Sequence, residues 1–361
     1  MSGAITPEVL FKLEDNMQAI TENEMARVIL EENLWWKKLM RVRPSSNRRE
    51  TLTWLLTTAK IHAAGKGGNI QFDDMVSQFV QWEHDRFMAG LELDVDTLSD
   101  NDGKGFDFAA EWASQVGALS VYFPQEKAAD LLIQGETTTG PGGKAYDGKA
   151  YFAVDHPLNP FNSGAGTYAN LMTGASSGVY PGAVPIDESV TLDTARANVQ
   201  KVVSYISSIK MPNGKTPRRL KVVGLMGPST LAKRLGEITD AKTIAANASV
   251  SGAGGSQDTS YLVKKWAFGE PIDAPELMTQ GNGTTDLTSW YVITQQVSTT
   301  TLGALLFSER FPFKTTYYTG EGGGNGVDAI LDRAQTLEWH LKGRNQSLYG
   351  HPYGLIKCKA A

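Results

Sequence analysis

Apolar residues recur at a mostly helical spacing between Thr6 and Met40: Leu10, Leu13, Met17, Ile20, Met25, Val28, Ile29 and Leu34, with Glu, Asp and Asn between them. That pattern predicts one or two helices. Charge and breakers then replace the periodicity through Trp35-Trp36-Lys37-Lys38, Arg41, Arg43, Pro44 and Ser45 to Arg49, which reads as a boundary. The run TLTWLLTTAKIHA after Glu50 predicts a strand, broken by Gly65, Gly67 and Gly68. A second extended run from Met75 to Val95 alternates most clearly in LELDV. Two long strands around a glycine-rich tip predict a projecting hairpin from Leu52 to Val95, and such a ribbon needs a partner for its apolar side chains.

A helical pattern follows through Phe106, Phe108, Ala109, Trp112, Val116, Leu119 and Val121. Pro124 is expected to kink it or to open a second helix from Gln125 to Leu132 that stops at Gly135. Residues 135–189 are loop-rich, with a hairpin signal at Asp147-Gly148. Helix returns from Thr191 to Ile209, placing Leu192, Ala195, Val199, Val202 or Val203 and Ile206 on one face. A turn at Met211–Lys215, a buried-type strand at Leu220–Leu225 and a short helix from Pro228 to Leu235 come next. The small-residue tract Ala245–Ser256 promises little burial. Strands are expected at Tyr261–Phe268, at Ser289–Thr294, in LGALLFSERFPF, and from Trp339 to Tyr353 beyond the glycines of 320–326. Irregular interleaving without an internal repeat predicts an α+β protein of more than one lobe.

Charge changes this picture little. With 34 basic and 39 acidic residues the net charge is −5, which is not the footprint of a dedicated nucleic-acid binder. The tryptophans beside Lys37 and Lys38 could stack on single-stranded bases, but read more simply as a helix end with snorkelling lysines. A lone cysteine, Cys358, can form no internal disulfide and fits a reducing compartment. No apolar stretch approaches the roughly 20 residues of a membrane span, and the start lacks a signal-peptide pattern, so secretion is not expected and the Asn-x-Ser/Thr triplets at Asn247, Asn282 and Asn345 read as chance matches.

Chemical motifs are fragmentary. Gly214-Lys215-Thr216 resembles the end of a phosphate loop, but Ile209 stands where that loop needs glycine, so it reads as a turn. Asp100-Asn101-Asp102-Gly103 lacks the first and last calcium ligands, with Leu98 and Ala109 in those places. The glycines of 252–255 and 320–326 have no strand-to-helix setting for a dinucleotide. His62, His84, His156, His340 and His351 form no metal-ligand pair, and no Gly-x-Ser-x-Gly elbow exists. Asp155-His156-Pro157 alone invites an acid–base reading, against a histidine held by backbone hydrogen bonds in a turn. Neither an enzyme nor a metal nor a cofactor is expected.

The stretch Tyr146-Asp147-Gly148-Lys149-Ala150-Tyr151-Phe152-Ala153-Val154-Asp155-His156-Pro157, followed by Asn170-Leu171, resembles the signature of the Mu-type phage major head subunit family. Leu93-Asp94-Val95-Asp96 with Asp100 and Asp102 before the long helix, and Pro124 before Leu131-Leu132-Ile133-Gln134-Gly135, are similar to that family's turn and helix break. So are Asn213-Gly214-Lys215 and the strand Leu220-Lys221-Val222-Val223. The likeness covers roughly residues 50–235, with a longer N-terminal segment and an extra loop at Gly135–Lys144 as departures. It implies the Hong Kong 97-like capsid fold of tailed phages: an N-terminal arm at 1–50, an E-loop hairpin at 51–103, a peripheral domain with a spine helix at 104–190, an axial domain at 191–300 and returning strands at 301–361. Asp147, Gly148, Phe152, Asp155, His156, Pro157, Asn170 and Leu171 become structural residues of the family motif.

The function so implied is that of a major capsid protein, self-assembling into hexamers and pentamers of an icosahedral shell, with scaffolding and portal proteins as partners. The shell encloses double-stranded DNA without sequence-specific binding and without a membrane, in a virion assembled in the host cytoplasm. The alternatives are a cellular nanocompartment shell of the same fold, or a soluble hydrolase using Asp155 and His156.

Overall fold

The computed structural model describes residues 7–31, 34–55, 77–94, 104–239, 244–245, 257–258, 268–279, 285–296, 303–317 and 336–360. The chain opens with α1 (Pro7–Glu31) and the single turn α2 (Trp36–Leu39), then β1 (Met40–Pro44), β2 (Arg49–Leu55), β3 (Ser77–Glu83) and β4 (Asp85–Asp94). The long α3 (Lys104–Gln134) leads into short strands β5 (His156–Pro157), β6 (Thr167–Tyr168) and β7 (Leu171–Met172). After α4 (Leu192–Ser208) come β8 (Leu220–Gly227), α5 (Ser229–Thr239), β9 (Ile244–Ala245), β10 (Gln257–Asp258), β11 (Ile272–Asp273) and β12 (Trp290–Gln296). Strands β13 (Leu305–Tyr317), β14 (Thr336–Tyr349) and β15 (Leu355–Cys358) complete an α+β fold.

Two sheets organise it. One has the order β1-β13-β14-β4, the other β11-β8-β12-β15-β7. Helix α4 carries the apolar face expected of it, burying Ala195, Val199, Val202, Val203 and Ile206. With Leu231, Leu235 and Ile238 of α5 this face packs on Val222, Leu225, Trp290 and Ile356 of the second sheet. A second core joins Leu131 and Leu132 of α3 to Tyr291, Leu305, Phe307, Tyr349 and Leu355, so that it touches both sheets. Strand β15 is buried at every position, as befits a strand covered on both faces.

Helix α3 runs through Pro124 without a break. An interior proline costs roughly 3 kcal/mol, and here burial on two sides outweighs it: α3 packs against α1 and β14, and Pro124 is itself buried. The approach of α1 is close. A Cβ at Gly117 would lie 2.7 Å from the Thr21 carbonyl oxygen, which requires glycine there.

The expected hairpin is corrected in its second arm. Strand β3 pairs with β2 from Arg49↔Glu83 to Leu55↔Ser77, but β4 leaves the ribbon and pairs with β14 from Asn345↔Asp85 to Thr336↔Asp94. The switch occurs at buried His84, whose Nε2 lies 2.8 Å from the Ser308 hydroxyl of β13. Strand lies on both sides of His84, at Ser77–Glu83 and Asp85–Asp94, so alternation alone could not reveal a change of partner. The boundary placed at Trp35–Arg49 also holds a strand, since Met40–Pro44 adds parallel to β13 with Met40 opposite Leu305. Trp35 and Trp36 are buried, with Lys37 and Lys38 exposed, so the ring faces are not offered to bases. Among the calls outside the described residues are the glycine tip at 65–68, the turn at Asp96–Asp102, most of 245–256, the strand at 261–267 and the glycines of 320–326.

Candidate functional site

The family-motif residues meet in a buried hub built on irregular backbone. Ala145 and Lys149 close the Asp147-Gly148 turn through Ala145 N–H donating to the Lys149 carbonyl at 2.8 Å. Gly148 sits at φ +79°, where a side chain would be strained. The flanking aromatic runs do not pair as the hairpin signal suggested; β5 pairs instead with β6. The turn aims the Asp147 carboxylate at His156, Nδ1 to Oδ2 2.6 Å, with both side chains fully buried. On the other side His156 Nε2 lies 3.0 Å from the Tyr151 carbonyl oxygen and 3.1 Å from Asn170 Oδ1. Both ring nitrogens therefore face oxygen atoms at hydrogen-bond distance. The ring also stacks on Tyr168 at 5.3 Å.

Asn170 extends the hub. Its Oδ1 accepts from Ala153 N–H at 2.9 Å, and its Nδ2 reaches the Tyr151 and Pro352 carbonyls at 2.7 and 3.0 Å. Leu171 lies in β7, in parallel register with Lys357 of β15. Phe152 donates its N–H to the Gly135 carbonyl at 2.8 Å and packs against Tyr291. Pro157 accepts a 3.1 Å bond from the Tyr146 hydroxyl. Asp155 alone stands outside: its side chain is 59% exposed and pairs with Lys149 at 2.5 Å. The adjacent Asp155 and His156 thus form no acid–base pair, and the partner of His156 is Asp147.

A second buried polar cluster escaped the sequence reading. Lys357 projects from β15 with its side chain 3% exposed, its Nζ 2.7 Å from Asp286 Oδ2 and 2.9 Å from Glu136 Oε1. Burial alone would push both carboxyls up, but Lys357, joined by Ser289 at Asp286 and by Lys359 at Glu136 (Nζ to Oε2 2.6 Å), overrides it and holds each below the usual carboxylate range. A lysine inside the otherwise apolar LIKC run was the available signal, because a charge in a two-sided strand needs a partner.

His351, beside the hub, shows the opposite balance. Burial, reinforced by the Arg218 guanidinium that lies 3.8 Å over Tyr353, holds its imidazole well below the ordinary histidine range. The folded ring stays neutral while the unfolded chain takes up a proton near pH 6.5, so this contribution to stability is present above about pH 6.5 and is lost as the pH falls below it. The melting temperature is expected to decline from about pH 7 to pH 5, with a shallower slope in His351→Phe; equal slopes would remove His351 as the cause.

The ribbon covers a third small core, Leu52, Trp82, Tyr146, Leu306 and Leu348, beside a groove of about 540 Å³ bounded by β3 and the loop 141–148. Its outer side leaves Phe79 64% exposed. Among the described residues no group of three or more His, Cys, Asp or Glu could hold a metal ion, and no helix is long and apolar enough to cross a membrane.

Residues 15–182, the segment that contains the hub, match the family model described as Mu-like prophage major head subunit gpT, in agreement with the resemblance read from the signature. No curated protein matches the chain. Similar solved structures include the procapsid of bacteriophage JBD30, at 15% identity over 99% of this chain and 77% of that one with a TM-score of 0.49. The capsid of the cyanophage P-SCSP1u is 15% identical over 90% of this chain and 88% of that one, TM-score 0.49. A virus-like particle from Pyrococcus furiosus is 9% identical over 96% and 98%, TM-score 0.45.

Proposed function

We propose that this chain, through residues 15–182 a member of the Mu-like prophage major head subunit gpT family, is a major capsid protein whose copies close into the icosahedral shell of a phage head. The family match carries the reading, because the matched segment holds most of α1, the β2–β3 ribbon, α3 and the hub. Residues 1–50 then serve as the arm, 51–103 as the E-loop, 104–190 as the peripheral domain, 191–300 as the axial domain and 301–361 as the returning strands. The subunit's role is structural and non-enzymatic, the hub being a brace for the peripheral domain. Large apolar side chains left outside the cores, Leu30 at 84% and Phe79 at 64% exposed, suit a subunit with further partners of its own kind.

Scaffolding and portal proteins are the expected helpers, and the finished virion, assembled in the host cytoplasm, holds double-stranded DNA confined and not gripped. A subunit of net charge −5 repels a polyanion at long range. Electron microscopy of the expressed full chain tests the assignment: closed shells or capsomers are expected, and a persistent monomer at high concentration would overturn it. Phe79→Ser supplies the surface test. Exposed substitutions usually shift stability by about 0.5 kcal/mol or less, so its melting temperature should match the parent while shell yield falls; unchanged yield would free the ribbon of an intersubunit role.

A further inference from the structure

Lys357 is hard to explain as packing alone. It lies in the middle of a strand buried on both faces, directly opposite Tyr291 of β12, where an apolar side chain would serve. Burying an ammonium and a carboxylate costs several kcal/mol per ion, and such pairs are often replaced by hydrophobic residues without loss. The surroundings are also specific. The Phe152 and Tyr291 rings each lie 5.7 Å from Nζ, the Tyr291 hydroxyl donates to Asp286 Oδ2 at 3.0 Å, and the Ser289 N–H donates to Oδ1 at 3.0 Å. An amine is thus held against a carboxyl whose two oxygens both receive donors, with a second carboxylate, Glu136, touching the same nitrogen.

We propose that Lys357 and Asp286 close an intramolecular isopeptide bond, Nζ to Cγ, with Glu136 as the proton carrier. The ion pair is the resting state. A proton passes from Nζ to Asp286 Oδ2, giving an amine beside a carboxylic acid, and the nitrogen lone pair attacks Cγ. Oxyanion charge developing on Oδ1 is met by the Ser289 N–H. Glu136 removes the second proton from Nζ and delivers it to the departing hydroxyl, so the Cγ–O bond breaks as the C–N bond forms. One water molecule leaves, Glu136 returns to carboxylate, and one positive and one negative charge vanish together. No oxidant or co-reactant is needed. Fixing amine and carboxyl in contact supplies the effective concentration that makes an otherwise slow condensation accessible, and Glu136, at the partly exposed edge of the cluster, offers the water its exit.

The bond would tie β15 to the segment leading into β12, independently of the shell assignment. The test is the intact mass of the folded full chain, followed by tandem sequencing of its proteolytic peptides. The expected mass is one water below the sequence value, with a branched peptide joining the Asp286 and Lys357 segments. Glu136→Gln keeps a hydrogen-bonding group but carries no proton, and should restore the full mass. A wild-type chain at full mass with both peptides linear would show an ion pair only and overturn the proposal. So would a water loss mapped elsewhere, for instance to ring closure at Asp147-Gly148. Microscopy of the same sample keeps the two readings apart: unlinked shells sink the bond alone, and linked monomers sink the shell alone.

Discussion

Asp147→Ala is expected to destabilise the subunit by about 1–3 kcal/mol, the cost of leaving a buried hydrogen-bonding group without its partner. Whole domains are stable by only about 5–15 kcal/mol, so the loss would be a sizeable share of the total. The His156 ring would keep its Nε2 bonds and lose the 2.6 Å contact on Nδ1, in a site where both side chains are fully enclosed. The cost comes from the stranded partner, and the double variant Asp147→Ala, His156→Phe should therefore recover part of the loss. Urea midpoints of the single and double variants decide it. If Asp147→Ala lies within about 1 kcal/mol of the parent, the hub is not the brace described above.

Tyr151→Ala should cost more, about 3–5 kcal/mol for removal of a fully buried aromatic side chain. Its ring stacks on Tyr349 at 4.5 Å and 11°, and meets Phe152 edge-on at 4.9 Å. Its hydroxyl lies 2.8 Å from the Ala304 carbonyl oxygen and 3.2 Å from that of His351, which flank strands β13 and β14. One side chain thus clasps the motif loop to the C-terminal strands. Tyr151→Phe separates the two contributions, since it keeps the packing and gives up a hydrogen bond, a loss of about 1 kcal/mol. Equal midpoints for the alanine and phenylalanine variants would refute the division, because packing would then contribute nothing.

Much of the framework was legible because helices and simple strands are written locally. The face of α4 follows from 3.6-residue periodicity between Leu192 and Ile206, and burial of those positions agrees with it. The Asp-Gly…His-Pro signature likewise marked the segment where the hub forms. Its internal wiring was not legible: Asp155 is the sequence neighbour of His156, yet Asp147, nine residues away, is the partner. In an irregular loop no period says which way a side chain points, and Gly148 turns the backbone through a conformation with no sequence-level readout beyond the glycine itself.

The sequence by itself determined the α+β class, the extent of α4 to within a residue or two and the family resemblance. Only the tertiary structure decided that α3 stays whole through Pro124, that the extended run around His84 changes partner, that Met40–Pro44 joins a strand more than two hundred and fifty positions away, and that Lys357 meets Asp286 and Glu136. Local propensity and periodicity act over a few residues and can be read along the chain. Strand pairing and the pairing of buried charges are set by which surfaces exclude water together, and that depends on residues far apart in sequence.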